Sequence, residues 1–315
     1  ADIWQPLASS TSQLFLEDKS DRYISLVHWA IRALEDEEDP IIPINPKALS
    51  DQAESWAWPC SPRDLALSWL ADMDPMQLWL PSSSSSSTNT TSSIATTSTH
   101  ELSQRYALAL LFYSTSGHDR WISRTSWLSG TSVCQWTGVI CDPSSSEQAV
   151  GGGTGTVAAT TISPLPNSAL LPNTVVHIQL SRNGLEGTIP PEVKLLSHLV
   201  ILDLSRNLQI LGSIPSGLFS LSRLMELRLN SNSLSGTLME DMSQLSNIEI
   251  ISLHNNLLTG PFPASLWSLP KLFVLEVGFN YLNGTLPIDT ASESLQFIDL
   301  SNNGLQGTIP TSIGW

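Results

Sequence analysis

The chain has 315 residues, with 29 acidic against 14 basic side chains, and its net charge of −15 repels the phosphate backbone that a nucleic-acid binder must neutralise. No run of about 18 apolar residues occurs, so nothing in it reads as a membrane span. It opens on Ala1-Asp2-Ile3-Trp4, as a chain processed after export would.

From Ser20 onward Ile24, Val27, Ile31 and Leu34 recur at helical spacing, which predicts an amphipathic helix ended by the acidic run Glu35 to Asp39 and by Pro40 and Pro43. A second helix is announced by Ser61 as cap, Pro62 at the first helical position and Asp64 in the first turn, with Leu65, Trp69, Leu70 and Met73 as its buried side. Trp4, Trp29, Trp56, Trp58, Trp69 and Trp79 all fall in this stretch, and so much aromatic area marks residues 1–81 as a packed helical extension. Residues 82–99 are nearly all Ser and Thr. They lack the apolar side chains that offset ordering entropy and read as a linker.

Residues 101–115 predict a further helix, with Leu102, Tyr106, Ala109, Leu110 and Tyr113 on one face and Gly117 past its end. Cys134 and Cys141 enclose a short loop and read as a disulfide, a sign of an oxidising compartment, although two reduced buried thiols fit the same spacing. Cys60 is left over, either a free thiol or a tether to another chain. The sequons at Asn89 and Asn283 fit an exported, glycosylated chain. The glycine run Gly151 to Gly155 has no Gly-Lys-Ser/Thr ending and reads as a surface insertion, followed by a strand at 157–162.

From Val176 to Pro310 one phrase recurs six times, clearest at Ile298-Asp299-Leu300-Ser301-Asn302-Asn303-Gly304-Leu305-Gln306-Gly307-Thr308-Ile309-Pro310. Its asparagines stand at Asn183, Asn207, Asn232, Asn256, Asn280 and Asn303, 23 to 25 residues apart, and a period of that size means a solenoid. The Leu and Ile positions stack inward between turns. The Asn side chains satisfy backbone donors and acceptors at the inner bend, and the glycines from Gly187 to Gly307 sit at the next bend. The prolines after them disfavour regular helix, so the outer side is expected to be irregular or 3₁₀.

The phrase Leu-x-x-Leu-x-x-Leu-x-Leu-x-x-Asn-x-Leu-x-Gly-x-Ile-Pro resembles the leucine-rich repeat, and its Gly-x-Ile-Pro ending resembles the plant-type subfamily. Ala107 to Leu111, Trp127-Leu128 and Cys134-x-Trp136-x-Gly138-Val139-x-Cys141-Asp142 resemble that family's N-terminal cap. With Tyr113-Ser114-Thr115-x-Gly117 and Trp121, this cap is similar to those of protist and algal members. The resemblance implies an α/β solenoid, a right-handed superhelix with a parallel concave sheet. A helical N-terminal cap is expected over 100–165 and six repeats over 166–315, with further protein or a membrane after Trp315 in place of a C-terminal cap. It also implies an extracellular ectodomain that binds a peptide or protein ligand as receptor or co-receptor, possessing no cofactor. The alternative is a non-signalling wall or matrix protein of the adhesion or inhibitor type.

If the repeated residues are scaffold, contacts fall to the places between them. One outward column runs Gln179, Asp203, Arg228, Ser252, Glu276 and Asp299, and another Arg182, Arg206, Ser231, Asn255, Phe279 and Asn302. Arg182 and Arg206 are placed to grip a carboxylate or sulfate, unless Asp203 and nearby acids pair with them. His254, Glu276, Phe279 and Asp299 make a second, mixed patch suited to a protein partner. The six histidines show no metal spacing, and neither Gly-x-Ser-x-Gly nor His-Glu-x-x-His occurs, so no enzyme is expected.

Overall fold

The computed structural model describes residues 21–34, 61–74, 76, 91–143, 171, 173–287 and 293–310. Cys60, Asn89, the glycine run, the strand expected at 157–162 and the chain end after Pro310 lie outside the described residues.

Helices α1 (Asp21–Leu34) and α2 (Pro62–Ser68) form where the sequence predicts them, and the Ser61 hydroxyl accepts the Asp64 amide at 3.1 Å. The buried side is only partly the expected one, since Trp69 and Leu70 are buried as expected. Leu65 and Met73 are 39% and 71% exposed, whereas Asp64, Ala66 and Leu67 are buried. Asp64 accounts for this, because its carboxylate takes the buried Tyr23 hydroxyl of α1 at 2.9 Å and so must face inward. A π-helical turn over Trp69–Met73 then carries Met73 outward.

Helix α3 (Thr91–Ser114) starts well before the predicted position, so residues 91–99 are helical and not a linker. Extending a helix already nucleated by the apolar segment after Leu102 costs little, even for weak helix formers. Gln104 to Phe112 are buried without a break, because the extension covers one side of α3 and the first repeat the other. Arg105 ties these layers together. Its guanidinium is fully buried, donates to both Asp74 carboxylate oxygens at 2.6 and 2.8 Å and to the Ser129 and Thr131 carbonyls at 2.9 Å, and lies about 5.1 Å from the Trp69 ring centre and 5.2 Å from that of Trp136.

Cys134 and Cys141 are joined in a disulfide next to the cap strand β1 (Val139–Cys141). Each repeat then gives one strand to each of two sheets: β2 (Val175–Gln179) and β3 (Glu186–Thr188), β4 (Ile201–Asp203) and β5 (Gln209–Ser213), β6 (Glu226–Arg228) and β7 (Ser233–Thr237), β8 (Ile250–Ser252) and β9 (Leu257–Pro261), β10 (Val274–Glu276) and β11 (Tyr281–Thr285), β12 (Phe297–Asp299) and β13 (Gly304–Gln306). The concave sheet runs β1-β2-β4-β6-β8-β10-β12 and is parallel except for β1, which closes its edge antiparallel to β2. The lateral sheet runs β3-β5-β7-β9-β11-β13 and was not anticipated from the sequence. It forms at the glycine bend: Gly187 to Gly307 all carry positive φ, and a Cβ on Gly187 would overlap the Ser114 carbonyl. The outer side carries 3₁₀ turns at Pro191–Leu195 and Ser216–Ser220 and a short helix α4 (Ala264–Trp267); residues 238–249, where Met239 replaces Pro, form neither. The one-residue insertion after Asn207 pushes Leu208 out to 72% exposure without disturbing the pairing on either side.

The two sheets differ in register. Concave strands align motif position to motif position, so Asp203 faces Arg228, Arg228 faces Ser252, and Glu276 faces Asp299. Lateral strands slip by two residues each, so that Gly212 faces Leu234 and Gly236 faces Leu258.

Between the sheets runs the asparagine ladder. The Asn256 amide donates to the Leu229 and Leu253 carbonyls at 2.9 and 3.0 Å and accepts the Leu234 N–H at 3.0 Å, and Asn280 repeats this on Leu253, Val277 and Leu258. At the first rung Asn183 exchanges hydrogen bonds with the Ser123 backbone at 2.6 and 2.9 Å, which couples the cap to the repeats. Asn256→Ala leaves the buried Leu234 N–H unpaired and removes one of the two amide donors at each of the Leu229 and Leu253 carbonyls, which still accept from Asn232 and Asn280. The substitution is expected to lower unfolding free energy by about 1–3 kcal/mol. Urea denaturation followed by circular dichroism reads this directly, and a change below about 0.5 kcal/mol would remove the ladder from its structural role.

Candidate functional site

The concave face is a set of columns one strand apart, at about 4.8 Å. At the strand ends stand Gln179, Asp203, Arg228, Ser252, Glu276 and Asp299, in the predicted register. Contrary to the sequence expectation, the column from Arg182 to Asn302 does not lie on the strands. It sits beyond them at a left-handed bend, with φ of 53° at Arg182, 59° at Arg206, 57° at Ser231, 56° at Asn255, 55° at Phe279 and 53° at Asn302. The next residue is always the ladder Asn, whose inward pull forces the bend. Backbone pairing continues through it, since Arg182 N–H reaches the Ser205 carbonyl at 3.0 Å and Arg206 N–H the Asn230 carbonyl at 2.8 Å. Side chains in this column therefore keep the strand spacing while pointing off the sheet.

Between the two columns is a third, of which the sequence singled out only His254: Ser181, Ser205, Asn230, His254, Gly278 and Ser301. It forms the floor. With Arg182, Asp203, Arg206, Arg228, Ser252 and Glu276 its first four members line an open groove of about 630 Å³. Arg182, Asp203, Arg206, Arg228, His254 and Glu276 thus come together in one place. Asp299 lies just past the groove, where it leans over Gly278 so closely that a Cβ there would meet its carboxylate at 2.7 Å. Phe279 is 52% exposed at the left-handed bend and does not line the groove.

The charges are distributed unevenly. Arg228 is held by Glu226 at 3.0 Å, within its own strand. Arg182 and Arg206 are exposed and form no ion pair among the described residues; Asp203 instead turns one oxygen to the Ser205 amide at 2.9 Å. Toward the other end, the buried Ser252 hydroxyl donates to Glu276 Oε2 at 2.7 Å, and His254 Nδ1 lies 3.1 Å from that hydroxyl and 3.6 Å from the same carboxylate oxygen. Serine and glutamate meet the same ring nitrogen, so this trio is not the relay in which a histidine passes a proton between its two nitrogens. Hydrogen bonds from the Ser301 hydroxyl and amide hold the Asp299 carboxyl below the usual carboxylate range.

Asn230 stands apart. It is only 7% exposed and sits in the middle of the floor of the open groove, where its side-chain amide has no hydrogen-bond partner among the described residues but is not shut off from solvent. Two residues on, Asn232 spends its amide on the ladder. The signal for Asn230 in the sequence was an asparagine at a position the repeat leaves open.

Among the described residues no helix is long and apolar enough to cross a membrane, and no cluster of three His, Cys, Asp or Glu could hold a metal. Asn283 is exposed on the lateral sheet, accessible to a glycan.

Family models match in three places: a leucine rich repeat N-terminal domain over residues 103–142, and leucine rich repeats over 222–282 and 294–315. None of the curated proteins matches the chain. Among solved structures, a plant ice-binding protein is similar at 27% identity and a TM-score of 0.54, over 67% of this chain and 59% of that one. The structure of PEPR1–AtPEP1 is similar at 29% identity and a TM-score of 0.52, over 66% of this chain and 26% of that one. The ectodomain of the receptor kinase SOBIR1 from Arabidopsis thaliana follows at 26% identity and a TM-score of 0.49, over 65% of this chain and 96% of that one. The chain spans less than two thirds of the ice-binding protein's length. With the cap motif, the disulfide, the stacked parallel strands and the asparagine ladder all in place, the part of the chain from residue 103 onward is a leucine-rich repeat solenoid with a cysteine-paired N-terminal cap, similar to plant proteins of that fold.

Proposed function

We propose that this chain is an extracellular ectodomain whose concave groove binds an extended peptide, or an extended segment of a protein partner, in the service of a receptor or co-receptor. Asn230 carries the reading. Its amide faces the open groove with donors and acceptor that no protein group uses, and an extended peptide offers an N–H and a C=O at every residue. Around it, Arg182 and Arg206 supply charge-assisted donors, and Ser181 and Ser205 supply hydroxyls.

The two similar structures above a TM-score of 0.5 point to different surfaces. An ice face is periodic, so a protein face built for it has to repeat. The groove floor does not, running Ser, Ser, Asn, His, Gly, Ser. Nor does the lateral sheet: its slipped register sets Thr237 beside Thr259 but Thr188 beside Leu211 and Pro261 beside Asn283. The likeness to the PEPR1–AtPEP1 structure, named for two components, fits a non-repeating groove better.

The test is selection of a random twelve-residue peptide library against the chain, with affinities of recovered peptides measured by fluorescence anisotropy. Recovered peptides are expected to bind Arg182→Asn/Arg206→Asn at least tenfold more weakly, about 1.4 kcal/mol. The same double variant is expected to be more stable by about 0.5–1 kcal/mol per site, because asparagine enters the left-handed region several-fold more readily than arginine. No recovered peptide, or recovered peptides indifferent to both arginines, would remove the concave-face reading.

Asn230→Ala separates ligand contact from scaffold. It is expected to weaken the same peptides about tenfold, the worth of one hydrogen bond with the accompanying loss of fit. Its urea midpoint should match the parent's, since no internal partner is lost. A stability loss like that of a ladder asparagine would place Asn230 in the scaffold.

A further inference from the structure

The groove is polarised along the solenoid axis. Its first two turns present two guanidinium groups with no ion pair among the described residues, Arg182 and Arg206, against one carboxylate, Asp203, which already accepts the Ser205 amide. Arg228, in the third turn, is neutralised by Glu226. The fifth and sixth turns present Glu276 and Asp299, with His254 as the facing titratable group. Glu276 commits one oxygen to Ser252, and hydrogen bonds from Ser301 keep Asp299 ionised, so both remain available to a cation.

Because the concave strands are in register, the separation of these ends follows from counting turns. Glu276 lies three strand steps from Arg206 and four from Arg182, and Asp299 one step further, a span of about 14–24 Å at about 4.8 Å per step. An extended peptide advances about 3.3 Å per residue, so it crosses that span in about four to seven residues. At the midpoint sits Asn230, whose uncommitted amide meets the peptide backbone and sets it along the axis.

Resting on the peptide-binding reading above, we infer that the groove selects a bipolar peptide: an acidic group over Arg182 and Arg206, and a basic group about four to seven residues away over Glu276 and Asp299. The separation and the order of charges form the recognition rule. A peptide with its two charges side by side reaches one end and leaves the other unpaired. A peptide with two like charges is repelled at one end.

The same library decides this. Sequenced after selection, peptides are expected to be enriched at least fivefold in an acid and a Lys or Arg spaced four to seven residues apart, relative to spacings of one to three. Selection against Glu276→Gln/Asp299→Asn is expected to keep the requirement for the acid and lose that for the base; selection against Arg182→Asn/Arg206→Asn should do the reverse. Running the library with free and with amidated C-termini identifies the acid, since a side-chain carboxylate survives amidation and a terminal one does not. Peptides that bind the groove with no preferred charge spacing, or a base requirement unchanged in Glu276→Gln/Asp299→Asn, would overturn the rule while leaving peptide binding intact. An empty selection would overturn both.

Discussion

The rest of this molecule depends on one requirement: the backbone must turn inside a narrow core without leaving its polar groups unpaired. A solenoid coil has no thickness in which to hide an unsatisfied carbonyl, and water cannot reach the bend. The asparagine amide meets the requirement by donating to two carbonyls and accepting an N–H from the adjoining coil, as Asn256 does with Leu229, Leu253 and Leu234. The same act dictates what happens one residue earlier. To bring the amide inward the chain must pass through positive φ, and it does so at Arg182, Arg206, Ser231, Asn255, Phe279 and Asn302 alike. Such a conformation costs a bulky residue about 1–2 kcal/mol. Asparagine suits it, and two turns use asparagine there. Two others hold arginine and one holds phenylalanine, which local backbone preference does not explain.

A stack of this kind also has to end. At the N-terminal side three devices act together: the antiparallel strand β1 takes the free edge of the concave sheet, Asn183 extends the ladder to Ser123, and the buried Arg105 joins Asp74 to the Ser129 and Thr131 carbonyls between two tryptophan rings. The Trp69 indole reinforces the joint by donating to the Leu128 carbonyl at 3.2 Å, and Arg63 on α2 reaches Glu192 of the first repeat at 2.6 Å. A buried charge pair of this sort adds little net stability over an apolar substitute, but breaking one partner is severe. What it supplies is a fixed seat for the extension on the cap.

The sequence made most of the scaffold legible because each repeat position is written six times and its physical cause is local. The strands, the ladder and the glycine bends all follow from such positions. The inward roll of α2 was not legible, since it hangs on Asp64 meeting Tyr23 some forty residues away. The early start of α3 was hidden by a Ser/Thr composition that argues against helix. The lateral sheet was missed because glycine bends were read as places where the chain turns, not where it pairs. Of the groove, the charged members were readable and the floor was not. The repeat leaves two open places between its last leucine and its asparagine, and the first of these holds Ser205 and Asn230, small polar residues that carry no signal of their own in the sequence.

The two registers explain why one face of this solenoid is a candidate site and the other is not. In the lateral sheet a two-residue slip per strand places unlike positions side by side, so equivalent positions do not stack into a straight column from turn to turn. In the concave sheet equivalent positions meet directly, and the left-handed bend repeats that alignment one step off the sheet. A substitution there adds a contact at a known distance from every other turn. Scaffold and site can then change independently, and the pair Asn230 and Asn232 shows the division at its finest. The same side chain, two residues apart, is spent entirely on the coil in one case and left open to the groove in the other.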